Sequence, residues 1–267
     1  MYNCQMNEAE LRQLLSGVPL SDLRYQDTTG STNDDAIAWA EQDAPDGAIV
    51  TANEQTNGRG RNRRIWITRP DQALAFSVIF RPTPAEAHRL AFYSPMSALA
   101  VCAMLEKLGL KPLIKWPNDV LLNRKKISGI LVEGIWQGSV MKAIVSGIGI
   151  NIATNSLNLS DPFLFPASSI EQELGHTVNR WEILKEVLLG LFFWRSKIMS
   201  EEFIQAWESR LAFQGEMVRI EQNEQLPVIG KLDGIDHESG SLRIITASGK
   251  IELIEAGDVH LRLADNG

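Results

Sequence analysis

Apolar positions along the chain recur with two different spacings, and the switches between them mark the elements. Leu11, Leu14 and Leu15 give one short helical pattern near the N-terminus. The stretch TTGSTNDDAIAWAEQ starts a second helix, with Thr32 as N-cap, Asp34 and Asp35 at the positive helix end, and Pro45 to Gly47 as the stop. GAIVTANEQ predicts a strand. ALAFSVIFRP predicts another, with Leu74, Phe76, Val78 and Phe80 on one face and Pro82 ending it. A helix follows with Ser94 as cap and Pro95 at its first position, through Ala98, Val101, Leu105 and Leu108 to Gly109. PLIKWP, DVLLN, KISGILVEG and VMKAIVSGIGINI read as four short strands too close for crossover helices, so they should pair antiparallel. Helical spacing returns near Trp181 to Ile198 and Ser200 to Leu211. From about Gly215 the pattern becomes short strands (MVRIE, PVIGKLDGI, LRIIT, KIELI, HLRL), a small all-β module of barrel type. The expected architecture is α+β with a mixed, mainly antiparallel sheet and packed helices over residues 1–213, then a β domain over 214–267.

Composition narrows the class. A chain of 267 residues, 44% hydrophobic and 22% charged, fits one or two ordinary globular domains. No apolar run approaches the roughly 18 residues that span a bilayer, so no membrane role is expected. The opening MYNCQMNEAE is acidic and polar where a secretory leader is basic and then apolar, so a cytoplasmic protein is expected. Cys4 and Cys102 fit a reducing compartment and cannot make a metal framework. The net charge of −7 argues against a protein that coats nucleic acid. Against that background Arg59, Arg61, Arg63 and Arg64 crowd together, and Arg124, Lys125 and Lys126 form a second run. Two basic loops in an acidic chain point to a local anionic ligand or, more plainly, to solvated turns.

Familiar nucleophile and phosphate motifs are missing. There is no GxxxxGK[ST] loop and no GxSxG elbow, and His88, His176, His237 and His260 have no metal-ligand spacing. The strongest positive feature is the loop Gln55 to Trp66, QTNGRGRNRRIW. Gly58 and Gly60 bracket Arg59, so positive φ and close approach to a ligand are expected there, with guanidinium forks for phosphate or carboxylate. Trp66 either lies over a flat group or belongs to the core.

In KWPNDVLLNRKKISGI, Trp116, Pro117, Asn118 and Asp119 form a turn after a strand. Asp119 holds a hydrated Mg²⁺ or caps the turn, and spacing alone favours the cap. Lys126 opens the next strand, where a lysine is more often an edge charge than a chemical group. Gly147 and Gly149 lie two apart on one strand face, a spacing that marks close approach of a ligand or another backbone.

The segments GSTND (Gly30 to Asp34), QTNGRGRNRRIW, KWPND (Lys115 to Asp119), RKKISGILVE and GIGIN (Gly147 to Asn151), in this order and spacing, resemble the biotin protein ligases. The resemblance covers roughly residues 25 to 265. It implies a catalytic domain related to class II aminoacyl-tRNA synthetases, followed by an SH3-like barrel. It also implies ATP, biotin and Mg²⁺ as reactants or cofactors, a biotinoyl-5′-AMP intermediate, and transfer to a lysine of a biotin carboxyl carrier protein. By the same resemblance Ser31, Thr32, Asn33 and Gln55 face the biotin ring system. Gly58, Arg59, Gly60 and Arg61 wrap the acyl-phosphate region, and Lys126 meets the biotin carboxylate and the α-phosphate. Arg61, Arg64, Trp66, Asn118, Lys126 and Asn151 serve the nucleotide, Gly129, Gly147 and Asn151 form the floor, and Asp119 lies near the metal.

One residue departs from the family pattern: Arg63 stands where glycine is common between the later arginines, and positive φ there would cost about 1 to 2 kcal/mol. Many bacterial members also carry an N-terminal DNA-binding domain, for which this chain has no room, so no DNA binding is expected. A monomer or homodimer is the expected assembly.

The residue types suit the implied reaction. A carboxylate meeting an α-phosphate brings two anions together, and a unit charge pair at 4 Å is worth about 4 kcal/mol at an effective dielectric near 20. Cations are therefore worth more than a base, which assigns Lys126, Arg59 and Arg61 to electrostatic catalysis. Closure of residues 55 to 66 on the ligand is expected to exclude water. A lipoate or octanoate ligase on the same fold is the near alternative, and a nucleic-acid binder using the arginine loop is the distant one.

Overall fold

The computed structural model describes residues 6–61, 64–66, 68–156, 166–198, 200–222, 226–256 and 259–263. In chain order the elements are α1 (Glu8–Leu14), β1 (Leu23–Thr29), α2 (Thr32–Glu41), β2 (Ala48–Gln55), β3 (Ala73–Phe80), α3 (Tyr93–Lys107), β4 (Leu113–Lys115), β5 (Asp119–Leu122), β6 (Lys125–Gln137), β7 (Val140–Asn151), α4 (Ile170–Leu174), α5 (Arg180–Arg195), α6 (Glu201–Glu208), β8 (Met217–Gln222), β9 (Val228–Ile235), β10 (Leu242–Thr246), β11 (Ile251–Ile254) and β12 (Val259–Leu263). The first seven strands form one sheet in the order β1-β2-β3-β7-β6-β5-β4. β1 is parallel to β2, and the other neighbouring pairs are antiparallel.

Side-chain size decides which helix covers which face. β3 is buried at every position. Its larger residues Leu74, Phe76, Val78 and Phe80 join α3 and α5 in the main core, while Ile79 packs with Ala36, Trp39 and Ala40 of α2 in a second, smaller one. A strand covered on both faces does not need a polar face, which is why the alternation seen in the sequence is of size rather than polarity. Small residues on α2 let that helix lie close to the strands. The pocket described below opens beside it, on the same face.

Several expectations needed correction. β1 carries the polar sequence LRYQDTT, half exposed, so no strand periodicity announces it. It is held by parallel pairing with β2, and α2 supplies the crossover that parallel strands require. The N-cap of α2 is Ser31, with Thr32 the first helical residue. α3 begins at Tyr93, so Ser94 is inside it rather than capping it, and the Ser94 hydroxyl donates to the Pro117 carbonyl at 2.9 Å. Two of the four strands expected to be short, β6 and β7, run 13 and 12 residues. The β5–β6 turn places Asn123 and Arg124 at φ 48° and 61°, the two-residue left-handed geometry of a tight hairpin. Arg63 lies outside the described residues.

The last five strands form a separate antiparallel sheet in the order β11-β10-β9-β8-β12. Its inward residues Val218, Ile220, Leu232, Leu242, Ile244 and Leu261 belong to the same continuous core as the first sheet. The Trp116 indole donates to the Gly240 carbonyl at 3.2 Å, a further tie between the two sheets. Among the described residues no helix is long and apolar enough to cross a membrane.

Candidate active site

Register builds the floor of the site. Across five neighbouring pairs, Ala52 lies opposite Ala75, Ala75 opposite Gly149, Gly149 opposite Gly129, Gly129 opposite Asp119, and Asp119 opposite Lys115. Small residues therefore line up across four strands and end at a carboxylate and an ammonium. Trp66 lies on the two glycines: a Cβ on Gly149 would stand 2.3 Å from the indole, and one on Gly129 3.2 Å from it. A Cβ on Gly147 would stand 2.0 Å from Asn33 Oδ1. The glycine pair thus marks close approach as expected, but what approaches is the side chains of Trp66 and Asn33.

Over this floor lies a cavity of about 600 Å³. Every candidate named from the sequence lines it except Gly58: Ser31, Thr32, Asn33, Gln55, Arg59, Gly60, Arg61, Arg64, Trp66, Asn118, Asp119, Lys126, Gly129, Gly147 and Asn151. Arg59 and Lys126, far apart in the sequence, share one pocket.

One end is neutral and polar. Gln55 Oε1 accepts from the Thr32 amide at 2.8 Å and from its hydroxyl at 3.0 Å, and Gln55 Nε2 donates to Thr68 at 3.2 Å. The Ser77 hydroxyl lies 2.9 Å from Thr32 Oγ1 and 2.6 Å from Asn33 Oδ1. Asn33 Nδ2 in turn donates to Glu133 at 2.8 Å.

The other end is cationic. Among the described residues Arg61, Arg64, Lys115, Arg124, Lys126 and Arg262 line the cavity there with the carboxylate of Asp119, while Arg59 lines it nearer α2. Lys126 Nζ lies 2.6 Å from Asp119 Oδ1 and 5.6 Å from the Trp66 ring centre. Arg61 donates to Asn118 Oδ1 at 3.2 Å, and Asn118 is itself fixed by donating to the Ile130 carbonyl at 2.9 Å. Asn151 Nδ2 donates to the Ser168 carbonyl at 3.0 Å, tying the end of β7 to the segment before α4. Burial pushes the Lys115 ammonium down to about 8, the neighbouring Lys126, Arg64 and Arg262 charges adding to the effect and Asp119 opposing it.

The arginine loop differs from its expected form. Neither Gly58 nor Gly60 is among the glycines with positive φ. Gly58 is required for another reason: a Cβ there would stand 2.4 Å from the Trp66 carbonyl oxygen and 2.8 Å from Gln55 Nε2. The Trp66 amide donates to the Gly58 carbonyl at 2.8 Å and Gly60 to Arg64 at 2.7 Å, so the described loop residues form a small ribbon. Arg59, expected to face an anionic ligand, forks onto Glu133 at 3.0 and 2.9 Å and reaches Asp34 at 2.6 Å. Its Nε and the Trp66 Nε1 are buried donors with no acceptor among the described residues.

Sequence reasoning missed Ser77, Glu133, Lys115 and Arg262. Glu133 and Lys115 sat inside quoted segments with no role attached. Arg262 had no signal, because only packing of the second sheet brings it to the cavity.

Comparison with known proteins agrees with this geometry. The biotin/lipoate A/B protein ligase family model matches residues 25–151. A biotin–(acetyl-CoA-carboxylase) ligase of Paracoccus denitrificans is 33% identical, over 86% of this chain and 97% of its own length. This chain belongs to the biotin protein ligase family. A bifunctional ligase/repressor BirA of Bacillus spizizenii is 32% identical over 96% of this chain and 79% of its own. Among solved structures, the biotin protein ligase from Aquifex aeolicus in complex with biotin and ATP matches at a TM-score of 0.77 and 28% identity, over 92% of this chain and 100% of its own. The family's mixed α+β fold is the one described above.

Proposed function

We propose that this ligase joins biotin to ATP, giving biotinoyl-5′-AMP and pyrophosphate, and then transfers the biotinoyl group to a lysine of a biotin carboxyl carrier domain. The observation that carries this reading is a single cavity with a hydrogen-bonding neutral end and a cationic end, bridged by an indole on a glycine floor. The neutral end suits an uncharged cyclic urea, whose carbonyl and two N–H groups need paired donors and acceptors. Thr32, Asn33, Gln55 and Ser31 supply them. The cationic end suits a carboxylate and a triphosphate.

In the first step the biotin carboxylate attacks the α-phosphorus, and pyrophosphate leaves. The nucleophile is already ionised, so no base is needed. Lys126 and Arg61 offset the repulsion between the two anions, and Lys115, Arg64 and Arg262 add positive potential beside them. Trp66 offers a flat face to the adenine. The described residues of the arginine loop that line the cavity limit water at the mixed anhydride.

The donor set argues against a resident metal. No group of three or more His, Cys, Asp or Glu side chains that could hold an ion exists among the described residues, and the lone carboxylate Asp119 is paired with Lys126. Mg²⁺ therefore enters with ATP as part of the substrate, shielding the leaving pyrophosphate. The division into a ligase domain over 1–213 and an SH3-like domain over 214–267 belongs to the same proposal, as do monomer or homodimer assembly and a cytoplasmic location.

The decisive test is incubation with MgATP and biotin, lipoate or octanoate in turn, with mass spectrometry for the acyl-adenylate. A biotinoyl-adenylate alone supports the reading. A lipoyl- or octanoyl-adenylate with none from biotin overturns it.

A further inference from the structure

Arg59 is the central residue of the GRG motif, yet both of its terminal nitrogens are engaged by carboxylates of the chain itself. Glu133 Oε1 accepts from Arg59 Nη1 at 3.0 Å, and Glu133 Oε2 accepts from Arg59 Nη2 at 2.9 Å. Asp34 Oδ1 accepts from the same Nη2 at 2.6 Å. These hydrogen bonds, with Glu133 the larger influence, raise the guanidinium pKa above its usual value. A cation neutralised by two carboxylates has little charge left for a phosphate. Its fork geometry instead gives a directional tie between two parts of the fold.

The parts it ties are the loop, the β6 strand and the start of α2. Glu133 lies on β6 opposite Val145, away from the cationic end. Its Oε2 also accepts from Asn33 Nδ2 at 2.8 Å, and Asn33 Oδ1 accepts from Ser77 at 2.6 Å. One carboxylate thus holds the loop through Arg59 and the neutral end of the cavity through Asn33. We propose that Glu133 is a positioning residue that latches the arginine loop to the sheet and transmits the loop's position to the ring-binding side chains. Its consequence for catalysis rests on the ligase reading above; the latch itself does not.

The test is tryptic cleavage after Arg61 and Arg64 in the full chain, compared between wild type, Glu133→Gln, Arg59→Gln and the double variant, with melting temperature followed in parallel. Glu133→Gln keeps an acceptor for Asn33 but removes the charge that holds Arg59. Cleavage is expected about tenfold faster in Glu133→Gln and faster again in Arg59→Gln, which also loses Asp34, with the double variant no faster than Arg59→Gln because the Glu133 tie is then already gone. Asp34→Asn, at a more exposed carboxylate, is expected to give about a threefold increase. For adenylate formation, Glu133→Gln should raise the biotin KM about tenfold and leave kcat within about twofold, a split that mere loss of folded protein does not produce. Wild-type cleavage rates or additive effects in the double variant would overturn the latch, and an unchanged biotin KM would overturn its transmission to the ring-binding side chains. If Glu133→Gln fails to fold, wild-type cleavage in Arg59→Gln overturns the latch. A wild-type protein that forms no acyl-adenylate would sink the ligase reading, while the cleavage rates would still decide the latch.

Discussion

At the end of the cavity beside α2, Thr32, Asn33, Gln55 and Ser77 satisfy one another through neutral hydrogen bonds. At the end beside β4 and β5, the groups that meet are Lys115, Lys126, Arg64 and Arg262, and among the described residues lining the cavity the carboxylate beside them is Asp119. Neutral dipoles can be buried in advance at small cost once each is paired. Like charges cannot, and the Lys115 ammonium is depressed chiefly by burial, with the neighbouring cations adding to the effect. The neutral end is therefore pre-organised for shape and hydrogen bonding, whereas the cationic end holds an electrostatic cost that an anion relieves on binding.

The largest expected effect is at Lys126. Lys126→Ala should slow adenylate formation about a thousandfold, since one unit charge near the reacting anions is worth about 4 kcal/mol. It also strips Asp119 of its cation, so the melting temperature should fall a few degrees with the fold retained. Pyrophosphate release near the wild-type rate would break the contrast between the two ends.

Gln55→Ala sharpens the contrast from the other side. It removes the acceptor for both Thr32 donors, at about 1 kcal/mol or more each, and should raise the biotin KM roughly thirtyfold with the ATP KM unchanged. Isothermal titration with each substrate separately would show an equal loss for both if the ends were not distinct.

Gly149→Ala pushes a methyl group into the indole seat and should weaken nucleotide binding about tenfold while shifting tryptophan emission. Unchanged emission together with unchanged nucleotide affinity would show that the floor does not position Trp66.

The smallest effect is with pH. Lys115 loses its proton near pH 8 in the folded protein, well before it does so in the unfolded chain at its usual 10.5. The unfolded state therefore binds more protons between about pH 8 and 10.5, and stability from this group rises with pH across that window. Nucleotide affinity moves the opposite way: kcat/KM for ATP should fall severalfold as pH rises through about 8. Lys115→Arg should flatten that feature, and an identical profile in the variant would remove Lys115 from the cationic end.

Much of the strand and helix content was legible because β2, β3, α3, α5 and the strands of the second sheet are apolar runs or periodic segments bounded by turn residues. β1 was not, because a half-exposed parallel strand held by backbone pairing needs no apolar alternation. The loop glycines were singled out for positive φ, which neither adopts. Gly58 is required by the closeness of Trp66 and Gln55, not by backbone sign, and such a contact spans residues that a local pattern does not relate. Arg59 was placed in the pocket but not with its partners, since a guanidinium in a sequence does not reveal that carboxylates 25 and 74 positions away will claim it.

The order of segments, the types of side chain available and the concentration of arginine and lysine in an acidic chain were settled by the sequence alone, because covalent order and composition are local properties. The alignment of Gly149, Gly129, Asp119 and Lys115 across four strands, the seating of Trp66 and the arrival of Arg262 from the second sheet were decided only by tertiary structure. The physical reason is register: a one-residue slip in any of these pairings would turn its side chains to the opposite face and leave neither a floor nor a cationic end.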